Sequence, residues 1–493
     1  MQQYESFGEC LRRCLAKEEI SASEAARLVG FRSRNSIFRI LSGDTSHEVN
    51  MRFLDALYAA LGESWPEEHW AALEEALSVE RLGPVRYQAN RAFLRALHTP
   101  DEPLPDYVVH IPNPDGTETE RSLQSVLAEA ACAARTEIIM TSCCEKGLSD
   151  LLAVCCEAAG EAGRLNIRHY IDTRDEAVTQ NILGILPLVG KQWYNARLVE
   201  PSSCPREMQA FYRLHSLHIH SWDEQGNLQG ATFLRYDHQH FILHQIQTGE
   251  CPQARLLDRW RFQLELLKPM PGLEESTERF IHYVEGYAQL EDNCTILSIK
   301  PDVHFNCIPS AQLEQGIRDG FSASGMAAGG ALDDLIAALK AVHEARFENM
   351  MKKHKPTHLI YSLPAMERFM RTGVLCDHFF LQRPYTVEER REIIRVLLDA
   401  MRNQPYFNVH FFKEGAPPLR FEISLYDGKG VLLTDAYTGY DLEQQHSEAL
   451  ITLPAFVESF KRYFLDELLV RYVIPRADTL RALERLLIMN ISD

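Results

Sequence analysis

No stretch of this chain free of charge approaches the roughly 18 apolar residues that cross a bilayer. Its first twenty residues carry Glu5, Glu9, Arg12, Arg13 and Lys17 where a signal peptide would need an apolar core. Both absences predict a cytoplasmic protein with no membrane partner. No glycine cluster runs into Lys-Ser or Lys-Thr, so nothing supports a P-loop, and no bound cofactor is expected. The 12 cysteines include the adjacent pairs Cys143–Cys144 and Cys155–Cys156 but no C-x-x-C and no framework spacing, which predicts reduced, mostly buried thiols. A positive balance is lacking too: 51 Lys and Arg stand against 69 Asp and Glu, a formal charge of −18. Residues 1–64 hold 8 basic and 9 acidic groups, so nearly all of the excess lies beyond them. An acidic body excludes a nucleic-acid wrapper or a binder of anionic lipid surfaces, and it leaves any affinity for DNA to a small local module. At 493 residues the chain outruns a single core, and two to four domains follow.

What is present is most distinctive between residues 21 and 43. Ser21 with Glu24 three places on is a capping-box pattern, so a helix starts there. Ala25, Ala26, Leu28 and Val29 form its body, Gly30 its sharp exit and Phe31 an apolar anchor. A second helix over 33–41 places Ile37, Ile40 and Leu41 at core spacing. Its other face carries Asn35, Ser36 and Arg39, with Arg32, Ser33 and Arg34 at its entrance, and no acidic residue lies between Ala25 and Gly43. Arginine suits guanine edges and phosphate, asparagine suits adenine, and serine suits phosphate oxygens. A helix over 51–61, capped by Asn50 and striped with Phe53, Leu54, Leu57, Tyr58 and Leu61, closes the group. On Ser21, Ala26, Gly30, Ile37, Arg39, Ile40 and Gly43 the stretch resembles the XRE, or lambda-repressor-like, helix-turn-helix family. That resemblance implies a second helix entering the major groove of double-stranded DNA, with Arg32, Ser33, Arg34, Asn35, Ser36 and Arg39 as contacts, in a homodimer.

Residues 65–98 read as further helices, one with Trp70, Leu73 and Leu77 on a single face, and serve as a connector or a dimer seam. The Pro-rich stretch 99–114 is a domain boundary. Beyond it, strands over 138–141, 166–171 and 196–199 alternate with helices over 148–162 and 176–188, which predicts a parallel α/β sheet. Strand-like runs over 217–222, 230–236 and 241–247, joined by turn sequences, predict an antiparallel meander. Helices follow over 257–267 and 274–290, and the Gly-, Ala- and Ser-rich residues 320–331 read as a flexible connection or helix boundary. The order then returns as a strand over 357–361, a helix over 386–402, a strand over 407–412, a hairpin over 420–435 and a helix over 453–469. The expected fold class is multidomain: an all-α helix-turn-helix domain at 1–64, a helical connector at 65–98, and an α/β body. The body has two similar halves, 116–290 and 331–493, and a helical C-terminus.

That order also resembles the phospholipase D-like fold, whose halves each carry His-x-Lys-x4-Asp on the hairpin strand. The resemblance implies one histidine as nucleophile on phosphorus and the other as acid for the leaving group. Here His218 takes the histidine place of the first half, with His220 for Lys and Gln225 for Asp. In the second half Arg420 and Glu422 stand for His and Lys, and Asp427 is kept. With the histidine pair incomplete, the expectation is a body without catalysis and a chain that is not an enzyme.

His215, His218, His220, His238, His240 and His244 crowd one meander. On a strand His218 and His220 share a face, and Arg420 and Glu422 complete the expectation of a polar ligand cleft. No cysteine or carboxylate finishes a metal-ligand spacing, so no metal is expected. Taken together these readings predict a bacterial-type transcriptional regulator whose body senses an unknown small-molecule or protein effector and alters the spacing of two paired readers. The rivals are a phosphodiester-processing enzyme of degenerate phospholipase D-like fold and an antitoxin-like or scaffold protein that holds a protein partner.

Overall fold

The computed structural model describes residues 4–31, 33–97, 104–113, 115, 117–172, 175–189, 191–199, 215–237, 240–246, 268–269, 277–300, 303, 308–323, 330–352, 355–375, 384–414, 416, 421–435 and 447–490. The chain is mixed helix and sheet and divides into two compact units, 1–92 and 93–493, the division falling inside a helix. Among the described residues no helix is long and apolar enough to cross a membrane.

The first unit is all-α: α1 (Phe7–Lys17), α2 (Ala22–Leu28), α3 (Arg34–Leu41), α4 (His47–Leu61), α5 (Glu67–Leu82) and the start of α6 (Pro84–Leu97). Half of the capping box expected at α2 forms. Ser21 Oγ accepts from Glu24 N at 3.2 Å, while the Glu24 carboxylate turns to Arg27 instead of the cap amide. Gly30 sits at φ 73°, a left-handed turn that a side chain would strain, and it lets α3 leave α2 sharply. Asn50 does not cap α4. That helix starts a turn earlier, behind Ser46, and Asn50 is buried inside it, accepting from Thr45 Oγ1 at 2.6 Å and donating to Glu80 of α5 at 3.0 Å. One core joins Leu11, Ala26, Ile37, Ile40, Phe53 and Leu57 to Trp65, Trp70, Leu73 and Leu77, so α5 belongs to this unit's core rather than to a free connector.

The second unit is built on two sheets. The first has the strand order β2-β1-β8-β7-β6-β3-β4-β5, where β1 is Val108–Pro112, β2 Glu118–Ser122, β3 Arg135–Thr141, β4 Leu165–Asp172, β5 Tyr194–Val199, β6 Ser216–Trp222, β7 Leu228–Asp237 and β8 His240–Ile246. The second runs β12-β11-β10-β13-β14-β15-β9, with β9 Lys268–Pro269, β10 Ile296–Lys300, β11 Thr357–Tyr361, β12 Phe407–Phe411, β13 Phe421–Tyr426, β14 Gly430–Asp435 and β15 Ser447–Ile451. Apart from β1, β2 and β9 the two orders are the same: three parallel strands on one side of an antiparallel meander. The repeat of architecture expected from the sequence is therefore present. The stretch 99–114, read as a boundary, contributes strand β1 to the first sheet at its far end.

Each sheet turns one face to helices. In the first, Thr136 Oγ1 donates to Ala130 O of α7 (Leu123–Ala131) at 2.5 Å, so the even-numbered positions of β3 look towards that layer, which also holds α8 (Lys146–Glu161) and α9 (Asp175–Ile185). In the second, Leu359, Tyr361, Phe407, Val409 and Phe411 pack with the helices Ser310–Ala323, Gly330–Lys352, Leu363–Thr372, Val387–Asn403 and Arg476–Leu487. The helix Gly330–Lys352 starts inside the Gly-Ala-Ser stretch read as a flexible connection. Helix Pro454–Tyr463 meets β13 and β14 and continues as a π-helix, Phe464–Tyr472.

Candidate active site

Ser216, His218 and His220 alternate with Leu217 and Ile219 along β6, so the pleat sends the three polar groups to one side. Register places them against β3: Ser216 faces Thr141, His218 faces Ile139 and His220 faces Glu137. The parallel pairing of β3 with β4 sets Arg168 beside Ile139 and Tyr170 beside Thr141, and β5 adds Arg197 beside Tyr170. All lie in register with the odd-numbered positions of β3, across the sheet from Thr136, so this is the face turned away from α7, α8 and α9.

The groups are linked to one another. Thr141 Oγ1 and Ser216 Oγ lie 2.7 Å apart, and Ser216 Oγ is 3.4 Å from His218 Nε2. Arg168 pairs with Glu137 at 2.7 Å, both side chains largely covered. Arg197 donates to the Tyr170 hydroxyl at 3.4 Å and stands 5.6 Å from its ring centre. Burial pushes the His218 imidazole down to about 4, with the neighbouring His220 adding to it. His220 is lowered as well, by burial first; Glu137 opposes that shift and Arg168 reinforces it. At neutral pH His218 is thus an uncharged imidazole, and the cationic charge on this face belongs to the arginines.

The second sheet does not repeat this face. Glu422, expected opposite His218 and His220, is paired with Lys300 of β10 on the side of Tyr361, which is the helix-packed side. There Ser298 Oγ also donates to Ser424 Oγ at 2.9 Å. Asp427 accepts from Lys461 Nζ at 2.7 Å. On the opposite face β10 and β13 present Leu297, Ile299, Ile423 and Leu425, all buried, and the histidines of that face stand instead on β11 and β12, where His358 and His410 lie with 3.1 Å between ring nitrogens. Arg420 and His238 lie outside the described residues, and of His240 and His244 only the backbone is described. His215 is exposed. Among the described residues no group of three or more His, Cys, Asp or Glu is placed to hold a metal ion.

The expected DNA contacts sit on α3. Ser33 is its N-cap, accepting from Asn35 N at 3.2 Å, and Ser33, Arg34, Asn35 and Arg39 are exposed, with Ser36 partly so. Arg39 donates to Asp44 O at 3.1 Å. Arg32 lies outside the described residues.

Glu137, Thr141, Arg168 and Arg197 belong to no motif readable in the sequence. They lie 27 to 31 positions apart from one strand to the next and meet only through parallel register, and the polar alternation within β4 and β5 was their one signal.

No family model and no curated protein matches the chain. Among solved structures it is similar to phosphatidylserine synthase from Haemophilus influenzae Rd KW20, at 10% identity and a TM-score of 0.26, over 81% of this chain and 97% of that one. Two expectations from the sequence give way here: a DNA-binding regulator with a non-catalytic body, and a chain that is not an enzyme. The solved structure carries the name of an enzyme, and the helix-averted face holds neutral imidazoles beside guanidinium groups instead of an inert cleft. None of the comparisons points to the XRE family.

Proposed function

We propose that the 93–493 unit is a phosphodiester-processing enzyme that works from the helix-averted face of its first sheet. The observation that carries this reading is His218, neutral and buried, on one face with His220, two strands from Arg168 and three from Arg197. His218 supplies the lone pair that attacks phosphorus or takes the proton from an attacking hydroxyl. Arg168 and Arg197 offset charge on the non-bridging oxygens, and Ser216 and Thr141 fix the imidazole. We place catalysis in the first half, where the histidines share their face with Arg168 and Arg197, whereas His358 and His410 of the second half stack on each other. The full-length chain is expected to hydrolyse bis(p-nitrophenyl) phosphate, and His218→Ala to cut kcat by about 100-fold or more, the usual scale for losing a positioned acid-base or nucleophilic group. Arg168→Ala is expected to act mainly on KM. Absence of turnover, or turnover indifferent to His218→Ala, overturns the reading.

A second reading concerns the 1–92 unit, and a specific observation favours it: Arg34, Asn35 and Arg39 are exposed on one helix whose N-terminus is capped by Ser33. We assign double-stranded DNA as the partner of α3, presented by a homodimer, with this unit as an attachment module of the enzyme. The finer helix-turn-helix identity of α2 and α3 belongs to this reading. Replacing Arg34 and Arg39 by Ala is expected to weaken duplex binding and to lower its salt slope by about one for each phosphate no longer neutralised. An unchanged slope in a fluorescence-anisotropy salt series rules out α3 as the DNA-binding helix.

A further inference from the structure

A second cluster of reactive groups lies on the other, helix-packed side of the first sheet, where the chain leaves β3 for α8. Ser142, at φ 51°, turns the backbone through the left-handed region, which a non-glycine residue adopts at a cost. The next two residues are cysteines with different surroundings. Cys143 is wholly buried, and that burial holds its thiol well above the ordinary range. Cys144 is only partly covered, and its Sγ lies 3.6 Å from Nε2 of His169 on β4. The other ring nitrogen, Nδ1, is 2.8 Å from the Tyr194 hydroxyl on β5. Three side chains from three parallel strands or their ends therefore form one line: thiol, imidazole, phenol. Gly184 of α9 presses against this turn so closely that a Cβ there would lie 1.7 Å from the Cys144 carbonyl oxygen, so the turn is fixed from behind as well. Two residues beyond Cys144, α8 begins at Lys146, and its N-cap residue Glu145 gives the first turn no side-chain cap.

We infer that Cys144 is a nucleophilic thiol served by His169 and steadied by Tyr194, and that this edge of the sheet takes carbon electrophiles of the α,β-unsaturated carbonyl class. The Cys144 thiol gives its proton to His169 Nε2 as sulfur bonds to the β-carbon. The π pair of the C=C bond moves onto the carbonyl oxygen as an enolate, facing the amides that open α8, and the proton then passes from His169 to the α-carbon. Atoms balance with no leaving group and no oxidant. Tyr194, kept protonated by its burial, fixes the His169 tautomer by accepting from Nδ1. Burial keeps the His169 imidazole uncharged down to about 3, so at rest it is a proton acceptor and not an imidazolium. The proton relay therefore runs unchanged through the neutral range. This inference is independent of the phosphodiester reading, which uses the opposite face.

The test is labelling of the native full-length chain with less than one equivalent of N-ethylmaleimide, followed by peptide mapping. Cys144 is expected to react at least about tenfold faster than the exposed Cys132, with a rate that stays flat from pH 6 to 8 while that of Cys132 climbs. His169→Gln is expected to bring Cys144 down to the rate and pH dependence of Cys132, with Cys143 and Cys156 still protected as proof of folding. Should His169→Gln expose those two, Tyr194→Phe decides, since it keeps the buried ring and is expected to slow Cys144 several-fold. A wild-type Cys144 no faster than Cys132, or a folded variant that leaves its rate unchanged, overturns the proposal.

Discussion

Lowering the pH from 7 to 4 unfolds the 93–493 unit in urea that it withstands at neutrality, and histidines are the cause. Four of them are held far below the ordinary value of 6.5: His169 at about 3, and His218, His343 and His410 at about 4. Burial is the first cause at each. His343 donates from Nε2 to Ile308 O at 2.7 Å, which pulls the other way, and Arg346 adds to the lowering. His410 stacks on His358 with 3.1 Å between ring nitrogens, so neither ring protonates without facing the other. In the unfolded chain each would titrate near 6.5. The unfolded state thus binds more protons than the folded one below that pH, and the stability these groups contribute is complete above about 6.5 and lost as pH falls towards 4. Each proton gives a slope of about 1.4 kcal/mol per pH unit, so four forfeit on the order of 10 kcal/mol by pH 4, comparable with the whole stability of a domain. Urea midpoints at half-unit steps are expected to show a steep fall below pH 6. His343→Gln, which keeps a donor for Ile308 O, is expected to take about one proton out of that slope. A midpoint level from pH 6.5 to 4.5 contradicts the assignment.

How far the sequence could be read follows from which forces act locally. β3, β4, β5 and the hairpins were legible because apolar runs such as Ile138-Ile139-Met140 are short, rich in β-branched residues and bounded by turns. β1 was not, because Pro112 and Pro114 read as linker punctuation, although Val108 to His110 pair with β8. Neither was β10: five residues buried on both faces show no alternation, and what makes them a strand is pairing with β11 and β13 far along the chain. Gly330 opens a 23-residue helix because Leu335, Ile336, Leu339 and Val342 gain a core that the Gly-Ala composition does not disclose. At the site, His218 and His220 were visible from their spacing of two. Their partners were not, and Glu422 was assigned by motif position to a face that strand register denies it. Parity along a strand can be read locally, but which parity looks at helices is settled only when the sheet is packed.

The largest single loss of stability is expected from Glu291→Ala. Glu291 ends the helix Thr277–Glu291 and meets Arg346 of Gly330–Lys352 through three bonds, from Nε at 3.1 and 3.0 Å and from Nη2 at 2.7 Å, with each side chain 5% exposed. The guanidinium also lies 4.8 Å from the ring centre of Tyr287. One turn further along the same pair of helices Asn349 donates to Ala288 O at 3.0 Å, which leaves the arginine little freedom to swing towards water. Taking away the carboxylate strands a full charge that cannot be shed at any ordinary pH, so the cost is its desolvation, about 3–5 kcal/mol. Removing both charges is a different matter, because two ions taken out of water roughly cancel the attraction between them. Glu291→Leu with Arg346→Met is therefore expected to recover most of the loss, and chemical denaturation of the four chains, wild type, both singles and the double, gives the coupling directly. A Glu291→Ala cost below about 1 kcal/mol would mean that the guanidinium is hydrated in solution and that the two helices are joined by their apolar packing alone.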